Sequence, residues 1–129
     1  MDRRDLTVQL ETILDDYSDE VKVVASEAFE SVAKKALVRL KQTSPRSKGR
    51  RGGRYARGWA LKRERGSGNV LTATIYNRAR PGLTHLLEHG HVTRNGHGTY
   101  RRTPAHPHIK VVEQWASAAL PAEIERRLK

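Results

Sequence analysis

Three histidines and a glutamate crowd one short stretch of the chain. His85 and His89 are four residues apart, the spacing that puts both on one face of a helix, with Glu88 between them and His91 two positions on. Imidazoles in that pattern can grip a divalent cation, with Glu88 or His91 as third ligand. A metalloprotease would place its general base directly after the first histidine, and Leu86 stands there instead. The chain has no cysteine, which removes thiolate zinc sites, disulfides and a cysteine nucleophile. His106 and His108 form a second pair around Pro107, and His97 completes six histidines. A metal-dependent nuclease would need acidic ligands or a histidine base beside an asparagine. Only five acidic residues follow residue 40, and just Glu88 is near the histidines. No Gly-x-Ser-x-Gly elbow is present, and Ser67 falls in a turn cluster. Gly66-x-Gly68 follows a strand but opens no helix, so no phosphate-cradling loop is indicated either. The balance of these readings is structural: Leu83, Leu86 and Leu87 are expected to face the core, with His85, Glu88 and His89 at its rim.

The elements that would position this stretch follow from periodicity. From Asp5 to about Lys41, apolar residues recur at helical spacing, from Leu6, Leu10, Ile13 and Tyr17 to Val32, Leu37 and Leu40. One long helix is expected, or a short and a long one divided at the capping-rich Asp15–Asp19 run. Ser44-Pro45 ends it, because a residue before proline is pushed out of helical geometry. Arg46 to Arg57 is rich in glycine and arginine without an acid, and reads as an exposed mobile loop. Trp59 to Lys62 and Val70 to Tyr76 read as strands joined by the Gly66-Ser67-Gly68-Asn69 turn. A turn at Pro81-Gly82 leads to a short helix, Leu83 to His89, closing on Gly90. A second hairpin is expected between His91–Thr93 and Thr99–Arg101 around Asn95-Gly96. Ile109, Val112, Trp115, Ala116 and Ala119 mark a last helix, with Pro121 expected to interrupt it. The chain should be one domain, 1–129: a helical arm (1–44), a flexible basic loop (45–58) and a body (59–129).

Charge is unevenly spread. Residues 1–40 hold six Lys/Arg against nine Asp/Glu, while residues 41–129 hold nineteen against five. An acidic arm and a basic body suit contact with polyanion, contact between neighbouring copies, or both. Arg46, Lys48, Arg50, Arg51, Arg54 and Arg57 are the candidates for such contact. No apolar run approaches the roughly 20 residues that cross a bilayer, so no membrane is expected. The start of the chain has no apolar signal core, which suits a soluble cytoplasmic protein.

The ordered set of a helix ending in TSP, GRYARGWALK, a hairpin ending in IYN, LTHLLEHGH, a glycine turn and PHIKVVEQWA resembles the tail-component and neck-protein family of long-tailed bacteriophages. The resemblance covers about residues 20–120. It implies an α+β subunit: long N-terminal helix, small antiparallel sheet of two hairpins, short central helix and C-terminal helix. It also implies a virion part at the head–tail joint, assembled in the bacterial cytoplasm as a ring of six copies, with twelve as the alternative. Neighbouring portal-adaptor and tail proteins are the implied partners, with non-specific DNA in the channel; no catalysis and no cofactor are implied. Leu86, Leu87, Glu88, His89, Gly90, Pro107 and His108 carry over as structural positions, with Glu88 expected to hydrogen-bond or pair with a nearby basic group. The rival readings are a free-standing, sequence-independent nucleic-acid-binding protein and a histidine-dependent metal nuclease.

Overall fold

A computed structural model describes residues 6–46, 52–94 and 100–129. Its first element corrects the expectation of a helix from Asp5. Val8–Ile13 is a strand, β1, with Val8, Leu10 and Thr12 buried and Gln9, Glu11 and Ile13 exposed. Strict alternation of that kind is the signature of a half-buried strand. A 3₁₀ turn at Leu14–Asp16 leads to helix α1, Asp19–Thr43. The helix stops at Ser44, whose backbone is extended ahead of Pro45 (φ −67°, ψ 142°).

A four-residue helix, α2 (Arg54–Arg57), precedes strands β2 (Trp59–Gly66) and β3 (Val70–Asn77). Helix α2 shortens the expected loop: Tyr55 and Ala56 are buried in it. Helix α3 spans Leu83–His89, as expected, and strands β4 (His91–Arg94) and β5 (Tyr100–Thr103) form the second hairpin. The turn of that hairpin, His97 included, lies outside the described residues. The chain ends in helix α4, Ile109–Leu128, which runs through Pro121 without a break. Pro121 is exposed there, so water can satisfy the carbonyl that its missing N–H leaves free.

The fold is α+β. Strand β3 is central in a three-stranded antiparallel sheet of order β1-β3-β2, and β4 and β5 pair separately. Val8 faces Ile75 and Leu10 faces Ala73 across one pair; Leu61 faces Ile75 across the other. These side chains share one face of the sheet, and α1 and α4 pack on it and on each other. Helix α1 meets them with Ala25, Ala28, Phe29, Val32, Ala33, Ala36 and Leu40, a stripe at helical spacing whose alanines admit close approach. Burial of Val8, Val32, Leu40 and Ile75 contributes about 1.5–3 kcal/mol each. The opposite face of the sheet, with Gln9, Lys62, Glu64, Thr72 and Thr74, borders an open groove. Among the described residues no helix is long and apolar enough to cross a membrane.

Candidate functional site

The sharpest local chemistry lies where α3, the start of α4, α2 and the ends of β2 and β3 converge. Helix α4 is preceded by His108, whose side chain makes no capping hydrogen bond. The first N–H groups of a helix have no partner within it. Glu88 of α3 supplies one from outside. Its Oε1 accepts the backbone N–H groups of His108 and Ile109 at 2.8 and 2.9 Å, and its Oε2 accepts that of Lys110 at 3.0 Å. The carboxylate also meets the positive end of the helix dipole.

The His108 ring extends this contact into the core. Its Nδ1 lies 2.6 Å from the carbonyl oxygen of His106 and 3.1 Å from Oε1 of Glu88. Both neighbours are acceptors, so Nδ1 carries the proton. Nε2 then accepts the Tyr55 hydroxyl at 2.8 Å. Tyr55, Trp59 and His108 pack edge to face, with ring centroids 5.5–6.2 Å apart. The indole N–H of Trp59 donates to Ser44 Oγ at 2.7 Å, which ties the end of α1 to the same cluster. Asn77 closes the other side: its amide donates to the Tyr55 carbonyl at 2.8 Å, while its Oδ1 accepts the N–H groups of Ala79 and Arg80.

Charge states follow from this environment. Burial pushes the Glu88 carboxyl up, but the three backbone N–H bonds and the neighbouring His108 outweigh it and hold the carboxyl below its ordinary range. Burial holds His108 below its ordinary value against the opposing pull of the His106 carbonyl and Glu88. Burial first, and the Glu88 charge second, push the Tyr55 hydroxyl up. At neutral pH the set is an ionised carboxylate, a neutral imidazole and a neutral phenol. Both carboxylate oxygens and both ring nitrogens are already engaged inside the chain, so this arrangement fixes shape.

Two positions of the LLEHG stretch differ from expectation. Leu86 is exposed at 37%, whereas Glu88 is buried at 6%. The core face of α3 is set by Thr84 and Glu88, with Leu83 and Leu87 packed at its edge, because the carboxylate must reach the α4 terminus. His85 and His89 remain exposed side by side, ring centroids 4.9 Å apart, and Glu88 is turned away from them. Among the described residues no group of three or more His, Cys, Asp or Glu is gathered to hold a metal. Leu87 accepts the His106 N–H on its carbonyl at 2.7 Å, and Pro107 is exposed between the two histidines. Gly90 takes φ +76°, and a β-carbon there would sit 2.6 Å from the Thr103 carbonyl oxygen. That close approach fixes the root of the β4–β5 hairpin. Tyr55, Ser44 and Asn77 are the members of the cluster that sequence reasoning missed.

Of the basic candidates, Arg46, Arg54 and Arg57 are exposed, and Lys48, Arg50 and Arg51 lie outside the described residues. Arg46 donates to the Lys41 carbonyl at 3.0 Å and Arg57 to that of Gly52 at 3.3 Å. Both bring Nη1 over Gly53, at 2.6 and 2.8 Å from where a β-carbon would stand. Lys41, Arg57 and Arg78 line a shallow hollow of about 510 Å³ beside Gly58 and Ala60. Lys41 and Arg78 were absent from the sequence-based set: the β2–β3 pairing brings Arg78 to this end, and the Trp59–Ser44 contact brings the end of α1 with Lys41.

A core of two helices on a small sheet, with the buried Glu88 carboxylate used to cap a helix, is the build of a structural module. Residues 9–90, well over half of the chain, match the model of a family described as "Bacteriophage HK97-gp10, putative tail-component". The chain belongs to this phage tail-component family. No match was found among curated proteins or among solved structures.

Proposed function

We propose that the chain is a ring-forming subunit of the head–tail joint, seated in the neck of a phage or phage-derived particle around the DNA channel, between portal complex and tail tube. Six copies, or twelve, would close the ring, with portal-adaptor and tail proteins above and below. The observation that carries this reading beyond the family is the β4–β5 hairpin. Among the described residues it is a two-stranded sheet without a third strand, its Val92 is 58% exposed, and yet its root is fixed. Two strands alone are marginal in water, so a hairpin held out in this way suits a surface that a neighbouring subunit completes. The Glu88–His108 contact locks that root, because it joins the helix before the hairpin to the helix after it. The test is removal of the gene from a producing strain. The expected result is filled heads and finished tails that fail to join, with joining restored by the gene in trans. Normal infectious particles in its absence would refute the proposal. Sequence-independent DNA binding is the second reading, favoured by the cations around the Arg57–Arg78 hollow.

A further inference from the structure

We infer that copies of the chain meet head to tail, the Arg57–Arg78 end of one body sheet resting on the Asp15–Asp19 end of the next. The inference rests on the ring reading above and names the surfaces that would close the ring.

The two ends are opposite poles of one molecule. At one pole, Ile13 and Gly66 both pair with Val70, and the 3₁₀ turn and the start of α1 follow. At the other, Trp59 pairs with Asn77, flanked by Arg57 and Arg78, and α1 ends nearby at Thr43. Helix α1 has 25 residues, so its ends lie about 37 Å apart. A charge at one pole cannot neutralise a charge at the other within the same copy.

The charges at the poles are complementary and largely unspent. Glu11, Asp15, Asp16, Asp19 and Glu20 are exposed at the first pole. Lys22 lies 3.3 Å from both Asp15 and Asp19, and Asn69 donates to Asp15. Among the described residues no cation lies within 4 Å of Glu11, Asp16 or Glu20. Arg65 and the tail of α4 also reach this side, but Arg126, Arg127 and Lys129 are paired with Glu123, Glu27 and Glu125. At the second pole, Lys41, Arg46, Arg57 and Arg78 have no carboxylate within 4 Å among the described residues. Glu88, in the cluster behind α2, is buried and committed to α4. The hollow between Lys41, Arg57 and Arg78 is large enough to take a carboxylate side chain.

A contact between two different patches of the same chain is heterologous, and such contacts close into rings where the rotation allows. Opposed charges there set register and orientation. The geometry therefore supplies the polarity that a circular assembly needs.

The chain has no cysteine, which makes a clean crosslinking test possible. Ser18→Cys and Thr43→Cys, both exposed and at opposite ends of α1, are placed in one chain and treated with a short bis-maleimide. The expected product is a ladder of covalent oligomers, with each single-cysteine chain staying mostly monomeric. Adding Arg57→Glu and Arg78→Glu should cut the ladder at least tenfold, and so should adding Asp15→Lys and Asp16→Lys instead. Mixing those two charge-reversed proteins should restore it, which also shows that both remain folded. Molar salt should weaken all ladders, because the Debye length falls to about 3 Å. Monomers alone in the double-cysteine chain would overturn the inference. So would a ladder indifferent to both reversals. Loss of binding to a short DNA duplex on Arg57→Glu and Arg78→Glu, with no effect on the ladder, would assign the cations to phosphate and overturn it as well. A chain found at the neck but giving no ladder would leave the joint reading standing and remove only this contact.

Discussion

The Glu88 carboxylate lies 3.1 Å from Nδ1 of His108 and also accepts that residue's own backbone N–H at 2.8 Å. One side chain of α3 thus fixes both the first turn of α4 and the ring that precedes it. The ring carries the constraint on to Tyr55, and Trp59 beside it joins the end of α1. Five elements far apart in sequence are held by one buried cluster.

Glu88→Ala should therefore be among the most damaging single changes. It strands three N–H groups at the start of α4 and removes a charge-assisted acceptor, a loss of about 3 kcal/mol. Glu88→Gln keeps one oxygen for the pair of N–H groups on Oε1 and should cost about half as much. Urea midpoints at neutral pH would show the order wild type, Gln, Ala.

Stability should fall on acidification in two stages. His108 in the folded chain sits below its ordinary value of 6.5, so the unfolded chain takes up its proton first and stability declines as pH drops below about 6.5. Glu88 is also held below its ordinary 4.5; its contribution is present above that value and is lost as pH falls through its lowered folded value. Denaturation midpoints from pH 8 to pH 3 should show both declines in the wild type, and the second should shrink in Glu88→Gln.

Gly90→Ala should destabilise by about 1–3 kcal/mol, since it combines a positive φ with contacts of 2.6 and 3.0 Å to backbone of Thr103 and Ala105. Gly82→Ala has no atom within 4 Å of the new methyl group and should change stability by less than about 1 kcal/mol. Paired thermal melts would separate the two. Equal effects would contradict the placement of the hairpin root.

Leu86→Ser should cost under about 0.5 kcal/mol, as expected of an exposed position away from the core. A loss of 2 kcal/mol or more would restore the reading that Leu86 faces inward.

Much of the architecture was legible from local pattern. The ends of α3 follow from Pro81-Gly82 and Gly90, and the β2–β3 hairpin follows from a β-branched run after a glycine turn. Strand β1 was hidden because Leu6, Leu10 and Ile13 fit a helical spacing while Val8, Leu10 and Thr12 fit alternation. Pairing with Val70–Ile75, some sixty residues on, decides between them, and local pattern does not register so distant a partner. Tyr55 was hidden inside an arginine–glycine run that reads as solvated loop. Glu88 was expected only to hydrogen-bond or pair with a nearby basic group; the start of α4, with no capping side chain of its own, takes an acceptor from elsewhere. Nothing local says that Glu88 supplies it.

The most direct test of the account is electron microscopy of particles carrying a small tag fused to the C-terminal end of this chain. The account predicts a ring of extra density at the collar, between portal and tail tube, with six or twelve equivalent copies. Density on the capsid shell or the distal tail tip, or particles without the protein, would contradict it.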